Sequence, residues 1–271
     1  MIPRFNLHTH TLLCDGSDSA EDMVRSAISC NCEGIGFSGH SHLQFADRWC
    51  MSPENTQEYI REILCLKEKY KKDIEIRLGI EYDFYSELDT TKFEYIIGSV
   101  HYVEKNGHFI PVDETAELLD ADIKKYYNGD YFAFCSDYYK NLSLVYEKTH
   151  CDIVGHFDLV SKFNENNRLF DENDARYRNA AFETADALMN ENVIFEINTG
   201  AISRGYRKFP YPARFILEYL AQKNARITVT TDTHSKDTIL YYYDEAIEYA
   251  RSCGIKELYF MKNGKFQSFE I

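Results

Sequence analysis

The sequence predicts an α/β fold: one domain, residues 1–271, built as a closed or nearly closed TIM-like barrel of parallel strands wrapped by helices. Three observations carry this. Seven short apolar runs alternate with segments of helical spacing, as a parallel sheet covered by helices requires. The length, 271 residues, suits a single α/β barrel. No Gly/Ser-rich or Pro-rich linker, internal repeat or low-complexity run divides the chain.

Strands are expected at 5–8, 34–38, 74–80, 95–100, 152–155, 193–197 and 226–230. The segment 19–30 opens with Ser and Asp capping residues and acidic side chains in its first turn, as a helix start should. Segment 53–71 begins with Pro53 at a first helical position. Segments 173–189, 212–223 and 243–253 carry apolar residues three and four apart. Two insertions interrupt the pattern. Residues 103–112 contain Asn106-Gly107, a hairpin turn signal, and 114–149 is a Tyr-rich, helical stretch.

Composition excludes several classes. The chain carries 30 Lys plus Arg against 44 Asp plus Glu, a formal charge of −14, which argues against a nucleic-acid surface resting on basic patches. The cluster Lys67, Lys69, Lys71 and Lys72 reads as the solvated tail of a helix. No stretch approaches the roughly 20 apolar residues of a membrane span, and the N-terminal stretch 1–6 lacks the apolar core of a signal peptide. The eight cysteines, with Cys30 and Cys32 too close for a C-x-x-C site, are expected to be reduced in a cytoplasmic protein.

Nine histidines are present, and seven of them stand at or just past a predicted strand end: His8, His10, His40, His42, His101, His156 and His234. Strand C-termini form the active-site face of a parallel α/β barrel, so these rings are expected to converge. His8-Thr9-His10 places two imidazoles on one side of a strand end. His40-Ser41-His42 repeats the spacing, with one ligand sufficient from the pair. Asp232-Thr233-His234 gives a carboxylate and an imidazole the same relation. Glu81 follows a strand run and can bridge two cations. Asp15, in the first strand–helix loop, reads as a metal ligand, a turn residue or a helix cap. His108 and His150 read as structural.

His8, His10, Asp15, His40, Glu81, His101, His156, Asp232 and His234 together exceed the three or four protein ligands of one catalytic zinc. They suit two or three divalent ions, zinc, manganese or iron. Such a cluster can make hydroxide at neutral pH and neutralise phosphate oxygens. It also lets an acidic protein bind an anion, because the metals reverse the local sign. Arg204 and Lys162, in loops at the same end, are candidate phosphate contacts, Arg as a fork and Lys as a point charge.

The ordered set His8-x-His10, Gly39-His40, Gly79-Ile80-Glu81, Ser99-Val100-His101, Gly155-His156 and Thr231-Asp232-Thr233-His234 resembles the polymerase-and-histidinol-phosphatase (PHP) metallohydrolases over nearly the whole chain. Within that family it is similar to the monofunctional histidinol-phosphate phosphatases of histidine biosynthesis. The resemblance implies a distorted (β/α)7 barrel and a two- or three-metal centre. Carried over, His8, His10, Glu81 and Asp232 hold one metal; Glu81, His101 and His156 a second; Asp15, His40 and His234 a third. Many members have His where this chain has Asp15. The stretches 155–163 and 198–204 also resemble that subgroup, supporting Lys162 and Arg204 as phosphate contacts, with Ser17 and His42 lining the same pocket.

The expected reaction is hydrolysis of L-histidinol phosphate to L-histidinol and phosphate, with Asp232, His42 or His234 protonating the leaving alkoxide. The alternatives are another PHP phosphoesterase acting on nucleotides or oligonucleotides, a metal-dependent deaminase or amidohydrolase, which Glu81 and the late Asp-x-His fit poorly, and a non-catalytic PHP module that binds a partner. The oligomeric state is left open.

Overall fold

The structure, a computed structural model, describes residues 2–46 and 48–271; Met1, the first residue of the N-terminal stretch read above, lies outside them. The strands are β1 (Phe5–Asn6), β2 (Gly34–Phe37), β3 (Glu75–Asp83), β4 (Tyr95–Ser99), β5 (Tyr102–Lys105), β6 (His108–Pro111), β7 (Ile153–Val154), β8 (Ile194–Asn198), β9 (Arg226–Thr230), β10 (Glu257–Lys262) and β11 (Lys265–Glu270). The helices are α1 (Ala20–Ser29), α2 (Pro53–Lys69), α3 (Ala116–Tyr127), α4 (Tyr131–Ser143), α5 (Val145–Thr149), α6 (Ala175–Met189), α7 (Gly200–Ser203), α8 (Arg214–Gln222) and α9 (Tyr243–Ser252).

Seven strands form one parallel sheet in the order β1-β2-β3-β4-β7-β8-β9. The first and last strands meet just beyond their ends. His10 N–H donates to Thr233 O at 2.9 Å, and Thr233 N–H donates to His8 O at 3.1 Å. Asn6 Nδ2 adds a bond to Thr231 Oγ1 at 2.7 Å. The sheet thus closes at the end where the metal-type residues are, with helices outside. Among the described residues no helix is long and apolar enough to cross a membrane.

Local chemistry explains the elements. Ser19 and Ser52 cap α1 and α2 by accepting from Asp22 N–H and Asn55 N–H, and Pro53 starts α2 with its φ pre-set. Thr115, Asp130 and Asp174 cap α3, α4 and α6. Inside the barrel, Tyr95 packs where Gly36 and Gly79 leave room, and its hydroxyl donates to Leu7 O at 2.5 Å.

The strands differ from expectation in several places: β1 stops at Asn6, short of residue 8, and β7 spans only Ile153–Val154. The third strand runs to Asp83, not Ile80, so Glu81 and Asp83 lie within β3 on the same side of it. Residues 81–83 pair with Ile97–Ser99 of β4, and histidines partner both carboxylates, which removes the cost of burying charge in a strand. The C-terminal hairpin β10–β11 was not predicted. Its turn, Asn263-Gly264 with φ of 53° and 72°, carries the same signal as Asn106-Gly107 between β5 and β6.

Candidate metal centre

Each strand end delivers its donor to one place. His8 and His10 come from beyond β1, His40 from beyond β2, Glu81 from β3, His101 from beyond β4, His156 from beyond β7, and Asp232 and His234 from beyond β9; Asp15 reaches in from the loop before α1. Glu81 is the hub. Its Oε2 stands 3.2 Å from His8 Nε2, 3.6 Å from His10 Nε2 and 2.9 Å from His40 Nδ1. Its Oε1 stands 3.3 Å from His101 Nε2 and 2.9 Å from His156 Nε2. Asp232 Oδ1 lies 3.2 Å from His10 Nε2 and 3.7 Å from His8 Nε2. Asp15 Oδ2 lies 3.5 Å from His40 Nε2 and 3.1 Å from His234 Nε2.

Four overlapping groups of donors result, each with ligand atoms within 4.8 Å of one another: His10, Asp15, His40 and His234; His8, Glu81 and His156; His8, His10 and Asp232; His40, Glu81 and His101. His8 Nε2, His10 Nε2, His40 Nδ1 and Glu81 Oε2 are buried and have no hydrogen-bond partner. Buried polar atoms normally find one. Converging orphaned lone pairs, on imidazoles and carboxylates and without thiolates, fit divalent cations.

The electrostatics agree. Burial lowers the His8 pKa, but Glu196, Asp232 and Glu81 outweigh it and raise it to about 10. Burial opposes Glu81 ionisation, and the surrounding His40, His8 and His101 overcome it, holding the carboxyl well below its usual range. Arg204, His8 and His10 do the same for Asp232 against its burial. Burial and the neighbouring His10 charge take His234 down to about 4, so its ring is neutral at pH 7. Asp232 also has φ of 44°, the left-handed region, a strained backbone of the kind found at functional sites.

A cavity of about 280 Å³ opens over the cluster, with Trp49, Tyr102, Asp113, Glu114, Lys162, Arg204 and Tyr206 in its wall. Arg204 donates to Asp232 Oδ2 at 3.1 Å and stands 2.8 Å from His234 Nδ1. Lys162 Nζ donates to Asp113 Oδ2 at 3.0 Å and Asp113 O at 2.8 Å. His42 and Ser17 are not brought into this wall. The His42 carbonyl accepts from Ser86 Oγ at 2.9 Å. Ser17 Oγ donates to His234 O at 2.8 Å and so fastens the loop that carries His234.

The sequence reading missed the carboxylates behind the rings. Asp83 Oδ2 stands 3.1 Å from His101 Nδ1 and accepts the His101 N–H at 3.1 Å. Glu196 Oε1 stands 2.6 Å from His8 Nδ1. The available signal was position: Asp83 is two residues beyond Glu81, and Glu196 and Asn198 are polar residues inside an apolar strand.

The sequence model of the PHP domain family matches residues 6–200 of this chain. The chain belongs to the PHP family. A Schizosaccharomyces pombe protein named "Probable histidinol-phosphatase" is 26% identical over 283 aligned residues, 95% of this PHP chain and 88% of its own length. The histidinol-phosphatase of Bacillus subtilis is 25% identical, over 89% of this chain and 97% of its own. Among solved structures, histidinol phosphate phosphatase from Lactococcus lactis, in complex with zinc, L-histidinol and phosphate, superposes with a TM-score of 0.70 at 22% identity, covering 98% of this chain and all of that one. The likeness extends the PHP barrel over the whole chain, beyond the matched 6–200.

Proposed function

We propose that this PHP protein hydrolyses L-histidinol phosphate to L-histidinol and phosphate, a step of histidine biosynthesis. The observation that carries the reading is the convergence of nine imidazole and carboxylate donors beneath a cavity whose wall holds two cationic side chains, Arg204 and Lys162. The relatives named histidinol-phosphatase, aligned across about nine tenths of the chain, support it, as does the zinc, L-histidinol and phosphate in the Lactococcus lactis structure.

His8, His10, Glu81 and Asp232 would hold one divalent ion, Glu81, His101 and His156 a second, and Asp15, His40 and His234 a third. Bound ions would supply an activated water and neutralise phosphate oxygens. Arg204 presents a planar fork to the phosphate and is itself oriented by Asp232 and His234. Lys162 adds a point charge to the same wall, held by Asp113. Asp113 and Glu114 make that part of the wall acidic, which suits the cationic amine end of the substrate, and Trp49, Tyr102 and Tyr206 offer aromatic surface to its imidazole. Of the three groups named for protonating the leaving alkoxide, Asp232 and His234 line the cavity and His42 does not; neither of that pair holds its titratable proton at neutral pH, so either would first take one from the attacking water and then pass it to the alkoxide.

Turnover of histidinol phosphate and of AMP, measured side by side, tests the reading. Histidinol phosphate is expected to be the better substrate by at least about 100-fold, since a site built for its polar ends leaves those groups unpaired with another ligand. Glu81→Gln is expected to lose both metal and turnover. Equal rates on the two substrates, or a metal-free Glu81→Gln with full activity, would overturn it.

A further inference from the structure

Glu196 sits in β8, fully buried, and joins the ends of three other elements. Its Oε1 meets His8 Nδ1 at 2.6 Å and accepts from Thr230 Oγ1 at 2.5 Å. Its Oε2 accepts from the His156 backbone N–H at 2.7 Å and from Asn198 Nδ2 at 2.9 Å. The backbone N–H and the Asn198 amide are fixed donors. A hydrogen on Oε2 would face those two fixed donors, and on the Oε1 side an ionised carboxylate accepts from both Thr230 and His8.

The consequence falls on His8. With Nδ1–H spent on Glu196, the neutral ring keeps its lone pair on Nε2. That nitrogen is the one aimed at the cluster, 3.2 Å from Glu81 and 3.7 Å from Asp232, with no hydrogen-bond partner of its own. We propose that Glu196 is a positioning residue that fixes the tautomer and ring plane of His8 so that Nε2 can ligate a divalent metal, and that the same carboxylate sets the backbone of the neighbouring donor His156. The inference rests on the metal reading of the site given above. A carboxylate behind a ligand imidazole fixes its orientation and raises its basicity, and losing one typically costs about 10–100-fold in metal affinity.

The isosteric change Glu196→Gln separates positioning from mere filling of space. The new NH2 cannot face the two fixed donors on the Oε2 side, so it turns toward Thr230 and His8. The Thr230 hydroxyl can rotate. His8 must then accept at Nδ1, which moves its proton to Nε2 and removes the lone pair the metal needs.

The experiment measures metal stoichiometry by elemental analysis, metal affinity by chelator competition, and the melting temperature of the chelator-treated protein. Glu196→Gln is expected to bind at least one ion about 10–100-fold more weakly, with the metal-free melting temperature close to wild type. Nitrogen-15 NMR of the folded variant is expected to place the His8 proton on Nε2. Wild-type affinity and stoichiometry in a folded Glu196→Gln would overturn the inference. If that variant does not fold, Thr230→Val and Thr230→Ser decide: the valine, which lacks the hydroxyl on Oε1, is expected to bind metal more weakly than the serine, and equal affinity overturns the inference. His8→Ala tests the underlying metal reading by itself. Full metal content in that variant would sink the site assignment, whereas a loss there combined with an unaffected Glu196→Gln would sink only the role given to Glu196.

Discussion

Arg204 binds the face of Asp232 that is turned away from the histidines: Nη2 lies 3.1 Å from Oδ2, while Oδ1 faces His10 at 3.2 Å. The guanidinium therefore compensates the carboxylate without competing for the oxygen aimed at the cluster. Its other arm reaches His234 Nδ1 at 2.8 Å, so the side chain is pinned at two points before any phosphate arrives. A lysine cannot keep both contacts and still present a fork. Arg204→Lys is expected to lower kcat/KM for histidinol phosphate about 100–1000-fold, the usual cost of removing one well-placed donor to developing charge. Steady-state kinetics with circular dichroism as a folding control checks this. A loss of only a few-fold would show that Arg204 serves the loop rather than the phosphate.

In the metal-free protein, burial lowers the His8 and His40 pKa values, but the carboxylates around them (Glu196, Asp232 and Glu81 for His8; Glu81 and Asp15 for His40) win, raising them to about 10 and about 9. Unfolded histidine titrates near 6.5. The folded protein therefore holds more protons than the unfolded chain between about pH 6.5 and 9–10, and its stability falls as pH rises through that window. Metal ions take the place of those protons, so metal affinity rises over the same range and binding releases protons. Melting curves of chelator-treated protein at pH 6.5, 8 and 9.5 are expected to shift downward with pH. A flat or rising melting temperature would contradict the shared-proton picture of the cluster.

The barrel was legible because strand–helix alternation is a property of runs of residues, and the donors were legible because His-x-His and Asp-x-His at strand ends have no use in an apolar core. What escaped depends on three-dimensional direction. His40 and His42 share a spacing that would align them in a strand, but β2 ends at Phe37, before either; His40 makes a bridge to Glu81 and lines the cavity, and His42 does not. Asp83 and Glu196 escaped because each sits inside a strand, where an isolated carboxylate looks like an error until the histidine behind it is placed. The hairpin β10–β11 had its signal in Asn263-Gly264, flanked by short strands whose exposed faces give little apolar alternation.

Gly79 is a packing requirement. A Cβ there would come within 2.2 Å of the Tyr95 ring, and that ring is anchored by its hydroxyl to Leu7 O, so it cannot swing aside. Gly79→Ala is expected to destabilise the barrel by about 1–3 kcal/mol through overpacking. Urea unfolding measures it, and a change under about 0.5 kcal/mol would mean the strands yield more easily than a closed sheet should.

Gly200 offers the opposite separation, activity without stability. It is the first residue of α7, its N–H donates to Asn198 Oδ1 at 2.9 Å, and its backbone lies outside the left-handed region, so alanine is conformationally allowed. On propensity alone alanine would help the helix, by up to about 1 kcal/mol. The obstacle is local: the added Cβ would sit 2.8 Å from Asp232 Oδ2, 2.9 Å from Asp232 Cβ and 2.9 Å from Arg204 Nη2, wedged into the Arg204–Asp232 pair. Both groups must shift, and a displacement of about 1 Å at a positioning contact can cost about 100-fold in rate. Gly200→Ala is therefore expected to keep or slightly raise the melting temperature while kcat/KM drops about 10–100-fold, with metal affinity affected less than in Glu81→Gln. Equal losses of stability and activity would point to a general disturbance of α7, and unchanged kinetics would mean that the Arg204–Asp232 geometry is not what the reaction depends on.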